Sequence, residues 1–117
     1  MGAMKRRSWN DPAWVAPRRA PARRGGTSVK LMPDYARELP LWHVDWWELS
    51  LTTSLLDDLA DWQHAFDVGF DEVKGWRSDL AAKTWSDDAE NLVARLRHEL
   101  EGRFGLEVDL WPLEAAH

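Results

Sequence analysis

Residues 53–67, TSLLDDLADWQHAFD, decide how this chain folds. Leu55, Leu56, Leu59, Trp62 and Phe66 recur at steps of three and four, which gathers them into one apolar stripe along a helix. Thr53 or Ser54 is placed to cap the amino end, and Asp57 and Asp58 fall in the first turns, where the helix dipole favours anions. Gly69 marks the exit. A helix with one apolar face needs a partner layer, so the flanking sequence must supply it.

Downstream, residues 85–103 form a second helix. Ala89, Leu92, Val93, Leu96 and Leu100 make its stripe, Thr84 is the expected cap, and Gly102 and Gly105 offer a stop. Residues 106–111 alternate, with Leu106, Val108 and Leu110 on one side and Glu107, Asp109 and Trp111 on the other. Upstream, residues 28–32 read as a short strand with Val29 and Leu31 on one face, ended by Pro33 and Asp34. The order strand, helix, helix, strand predicts a small α+β fold of the α/β type, with two helices packed on a small sheet. A sheet of only two strands has two open edges, and open edges seek partners, so a homodimer or a bound protein is expected.

Charge divides the chain near residue 28. Residues 1–28 carry Lys5, Arg6, Arg7, Arg18, Arg19, Arg23 and Arg24 against a single Asp11, a net of +6. Residues 29–117 carry eight Lys/Arg against nineteen Asp/Glu, a net of −11, and the whole chain is −5. With Pro12, Pro17 and Pro21 and a Gly25-Gly26 pair, the first part reads as a disordered basic Pro/Arg-rich arm, 1–28. The second, 29–117, reads as one compact acidic domain. The arm reads either as a tether or as translated sequence ahead of a start at Val29 or Met32.

The chain has no cysteine, which excludes disulfides, thiol nucleophiles and thiolate metal sites and suits a reducing cytoplasm. No apolar run approaches the ~20 residues that span a bilayer. Nine tryptophans in 117 residues exceed what so small a core easily hides.

The chemistry-bearing candidates follow from these features. Asp57, Asp61 and His64 share one helix face at spacings of four and three, which suits a divalent cation but equally a charged, solvated surface. His43 and Asp45 form a weaker pair of the same kind, and Asp34, at a strand end, is the best-placed single acid. No phosphate-binding glycine loop is present. Trp42, Trp46 and Trp47 lie within six residues in a loop; if that loop is extended, Trp46 and Trp47 point to opposite sides.

The body resembles small actinomycete proteins of no assigned activity. The residues that carry the resemblance are the Val29-Lys30-Leu31 strand, Asp34-Tyr35, Pro40-Leu41-Trp42 and Leu49-Ser50-Leu51. They continue with a helix containing Trp62-Gln63 and Phe66-Asp67, Gly75-Trp76, a Leu/Arg-rich helix and a final acidic strand. That resemblance covers about residues 29–113 and implies a bacterial cytoplasmic protein with a compact body and no stated activity.

These features point to a non-enzymatic protein-interaction module of the inhibitor or immunity/antitoxin type, without cofactor or catalytic residue. It would steer a basic partner by charge and anchor it by aromatic rings, through Trp46, Trp47, Asp57, Asp58 and Asp61. Two other readings stay open. One is nucleic-acid association through Arg18, Arg19, Arg23, Arg24 and Trp14. The other is a small metal-dependent enzyme built on Asp57, Asp61 and His64.

Overall fold

Val29 and Leu31 are fully enclosed while Ser28 and Lys30 beside them are half-buried, because successive strand side chains point to opposite faces. In the computed structural model, which describes residues 8–15 and 28–114, they belong to β1 (Ser28–Leu31), the central strand of a three-stranded sheet ordered β2-β1-β5. β2 (Leu41–Trp42) pairs antiparallel to β1, with Leu31 opposite Leu41. β5 (Gly105–Val108) pairs in parallel, from Ser28 opposite Gly105 to Leu31 opposite Val108. Parallel neighbours require a long crossover, and the two main helices, α1 (Thr53–Gly69) and α2 (Asp79–Leu100), provide it.

The sheet therefore has one strand more than the two expected. β2 escapes a pattern reading because two residues cannot show alternation. Local bonds hold it in place. Arg37 donates to the carbonyls of Leu39 (3.1 Å) and Leu41 (2.9 Å) and lies 3.7 Å over the Trp42 ring, while Trp42 Nε1 donates to the Met32 carbonyl at 2.9 Å. Left-handed corners at Ala36 (φ 61°) and His43 (φ 75°) flank this hairpin-like return.

The predicted stripe of α1 is buried in full, and the helix is capped by Thr52, whose hydroxyl accepts from Leu55 N at 3.3 Å. α2 starts six residues earlier than the apolar pattern indicates. Ser78 caps it, accepting from Ala81 N at 3.0 Å, and Asp79 sits in the first turn. The early turns were hidden because Leu80 is exposed and contributes nothing to the stripe. Trp85 accordingly lies within α2 rather than at its start.

Trp62 of α1 and Trp85 of α2 stack nearly parallel, centroids 4.3 Å apart and planes 10° from each other. Each indole N–H donates to the other's main-chain carbonyl, Trp62 to Trp85 at 3.0 Å and Trp85 to Trp62 at 3.2 Å. The aromatic core continues from there. Trp76 packs against Trp85 (5.1 Å) and Phe70 (5.3 Å), on a small hairpin of β3 (Phe70–Asp71) and β4 (Gly75–Trp76) that the sequence reading leaves as plain connection.

Trp111 belongs to a short helix, α3 (Trp111–Glu114), and not to the wet face of the last strand. Pro112 lacks an N–H and fits a first helical turn, so the chain curls and Trp111 meets Phe66 (5.5 Å) and Phe70 (5.4 Å), donating to the Pro33 carbonyl at 2.8 Å. The outer sheet face does carry Lys30 and Asp109, 3.8 Å apart, and Glu107 is exposed.

Truncation of Trp85 to alanine is expected to cost about 3–5 kcal/mol, as for other buried aromatics. Trp62→Ala with Trp85→Ala is expected to cost clearly less than the sum of the two, because each single change already removes the stack between the rings. Urea unfolding of the four proteins in that cycle measures both statements.

Candidate protein-binding surface

On α1, Asp58, Asp61 and Ala65 follow one another at spacings of three and four. On α2, Asp88, Asn91 and Arg95 do the same. The helices pack so that these rows face each other across a groove of about 240 Å³, with Trp62 and Leu92 on its floor. Arg95 bridges one end: its guanidinium pairs with Asp58 and donates to Ser54 Oγ at 3.3 Å. Beyond that bridge the walls are Asp61 and Asp88, both exposed. The groove thus offers carboxylates above an apolar floor, which is the geometry that takes the stem and head of a lysine or arginine.

Asp57, expected with Asp58 and Asp61, faces elsewhere. Its Oδ1 accepts from Trp9 Nε1 at 2.8 Å and from Asn10 Nδ2 at 3.4 Å. Trp46 and Trp47 share that side. They lie on a 3₁₀ turn, Trp46–Glu48, and not in extended chain, so their rings touch edge to face at 5.6 Å instead of pointing apart. Trp14 stacks on Trp46 at 4.9 Å and 28°, lies 5.9 Å from Trp47, and Trp9 meets Trp46 edge-on at 5.5 Å. The expected binding quintet therefore divides: Asp58 and Asp61 line the groove, while Asp57, Trp46 and Trp47 hold residues 8–15. Of the arm read as disordered, these eight residues lie against the domain. Arg18, Arg19, Arg23 and Arg24 lie outside the described residues.

The metal-ion expectation is not met by the geometry. Among the described residues no three His, Asp or Glu side chains are grouped to hold an ion, and the Asp57 carboxylate is turned to Trp9 and Asn10 instead of to His64. Asp34 also has a structural task. Its Oδ1 accepts from Tyr35 N at 2.8 Å, and its backbone is clamped by the buried Gln63, which donates to the Asp34 carbonyl at 2.6 Å and accepts from its N–H at 3.4 Å.

Gln63 spends its second N–H on Asp67 Oδ1 at 3.1 Å. Desolvation raises Asp67 above the ordinary carboxylate value, and the Gln63 bond and nearby His64 offset only part of the rise. Tyr35, tilted against Phe66 and 42% exposed, is likewise raised, first by burial and then by the carboxylates of Glu72, Asp71 and Asp34. The acidic character of the surface thus extends past the end of α1.

The groove residues that sequence reasoning missed are Asp88, Asn91 and Arg95. Their three-and-four spacing was available, but nothing in a single sequence says which polar row of α2 lies beside which row of α1.

This is a small α+β domain with an acidic interhelical groove, and among the described residues no helix is long and apolar enough to cross a membrane. Residues 27–109 match the family described as Serratia CdiI immunity protein-like, and the chain belongs to that family. The match runs from the start of β1 through β5 and leaves out residues 8–15 and α3. No curated protein and no solved structure matches the chain. The family makes it an immunity-like protein-interaction module; proteins of that kind are in general not enzymes.

A native Asp67 that holds its proton more tightly than the unfolded chain does favours folding below its unfolded pKa, and that contribution is lost as pH rises through the raised folded value. Asp67→Asn keeps an acceptor for Gln63 and removes the charge. It is expected to raise the melting temperature at about pH 7 and to leave it unchanged at about pH 3, below both pKa values; thermal melts at the two pH values check this.

Proposed function

We propose that this protein is the immunity partner of a basic protein toxin, and that it neutralises the toxin by binding it in the cytoplasm through the α1–α2 groove, without chemistry of its own. The observation that carries this reading is the groove itself: Asp58, Asp61 and Asp88 over Trp62 and Leu92, on a domain of an immunity-like family. The domain around it is strongly acidic, with nineteen Asp/Glu against eight Lys/Arg over residues 29–117. A field of that sign speeds encounter with a cationic partner and repels acidic ones. Once docked, a toxin lysine or arginine in the groove exchanges water for the Asp61 and Asp88 carboxylates while its methylenes cover the floor.

Two features behind the other partners suggested by the sequence are used within the fold. Trp14 is stacked on Trp46 and so is not offered to a nucleobase. One of the two sheet edges that favoured self-association is covered by β2.

The test begins with capture of a partner on the immobilised full chain at low salt. A protein is accepted as the partner when it arrests growth on its own and co-expression of this chain restores growth. Asp61→Lys with Asp88→Lys is expected to weaken the complex by at least about tenfold and to abolish protection, with wild-type affinity falling as salt rises. A toxin that binds the charge-reversed protein as well as the wild type, or whose affinity ignores salt, removes the groove from the mechanism.

A further inference from the structure

Residues 8–15 lie outside the family match, yet they are seated on the domain by three ring contacts and two side-chain hydrogen bonds. We propose that Trp46, Trp47 and Asp57 form a binding site for a short peptide carrying two tryptophans, and that residues 8–15 are its resident, exchangeable occupant. This stands apart from the toxin reading, since it concerns what sits on a second surface in the free protein.

Bonds within the segment hold the occupant's shape. A 3₁₀ turn, Ser8–Asn10, is closed by Asp11 N donating to the Ser8 carbonyl at 3.2 Å. A second turn follows at once, with Trp14 N on the Asp11 carbonyl at 3.0 Å and Ala13 N on Asp11 Oδ1 at 2.9 Å. Asp11-Pro12 is a turn-forming pair, the carboxylate closing the loop and the proline presetting φ. The two turns bring Trp9 and Trp14 to one side, where both meet Trp46. These internal bonds lower the ordering cost of docking, which favours binding by so short a segment.

The receptor has two parts that ask for different things. Trp46 offers a face, which Trp14 covers, and an edge contact, which Trp9 makes. Asp57, on α1, offers a carboxylate that accepts the Trp9 indole N–H, a charge-assisted bond between residues 48 apart in sequence. Stacking alone would take any aromatic ring. The carboxylate selects an indole, because phenylalanine has no N–H to give.

Exchangeability follows from the connection. Twelve residues, 16–27, join the segment to β1. A flexible connection of that length would hold its end at an effective concentration on the order of 1 mM. The segment stays seated only if its intrinsic dissociation constant lies below about that value, and an outside peptide displaces it only when it exceeds about that concentration or binds more tightly.

The test uses the full chain carrying Trp9→Ala and Trp14→Ala, with the synthetic peptide of residues 8–15 as probe and the indole N–H signals of Trp46 and Trp47 as readout. The peptide is expected to bind with a dissociation constant below roughly 1 mM and to bind the wild type at least about twofold more weakly, because there the site is filled. Adding Asp57→Asn to the emptied chain is expected to weaken the peptide about tenfold, the effect of removing the charge from that hydrogen bond. No binding well above 1 mM, equal binding to wild type, or indifference to Asp57→Asn overturns the proposal. Should the emptied chain not fold, Asp57→Asn in the otherwise native protein decides. The Trp46 and Trp47 signals are then expected to shift and the Trp9 indole N–H to exchange faster, and unchanged signals overturn it.

Discussion

The Trp62–Trp85 pair is the contact on which the arrangement of this domain depends. A buried indole must satisfy its one N–H, and here each ring does so on the main-chain carbonyl of the residue carrying the other ring. A carbonyl already engaged in a helix has a second lone pair to offer, so the pair adds two bonds without breaking either helix. Because the bonds are reciprocal and the rings nearly parallel, separation, rotation and register of α1 against α2 are set together. Leucine packing alone tolerates sliding by part of a turn; this pair does not.

The groove inherits its form from that register. Trp62 lies between Asp61 and Ala65 in sequence and Trp85 lies three residues before Asp88, so locking the two tryptophans brings the two polar rows opposite each other. An acidic row on one helix is an ordinary solvated surface. Asp61 and Asp88, held on opposite walls above a hydrophobic floor, form the place that the proposed function gives to a partner's cation. Trp62 thus serves stability from its buried face and, in the proposed function, recognition from the edge that floors the groove.

Much of this was readable in the sequence. Both apolar stripes, the two longer strands and the helical stop at Gly102 follow from periodicity and from residue types with one conformational preference. What was hidden falls into two physical kinds. β2, β3 and β4 have two residues each, too few for a period-two pattern, and owe their pairing to Arg37, Trp42 and Trp76 contacts formed only in the fold. The rest are long-range choices among equivalent local options. Trp111 could have continued a strand but turns inward at Pro112 to reach Phe66, and Asp57 sits on the same helix as Asp58 yet serves Trp9 rather than the groove. Nine tryptophans signalled that aromatic packing would dominate, but not that two of them, Trp9 and Trp14, would pack on the domain from a segment whose prolines and arginines read as disorder.

The parallel pairing of β1 with β5 sets a timetable for the newborn chain. Ser28 must wait for Gly105 before its strand has a neighbour on that side, and at ordinary rates of translation the interval is about 4–15 s. During it Val29 and Leu31 have only β2 beside them, and a strand with an open edge and an apolar face is prone to stick to whatever is near. On the proposed function, a protein that must meet a harmful partner promptly is therefore vulnerable while it is being made, and its protective capacity would be set by how many chains complete that last pairing as well as by how tightly the finished ones bind.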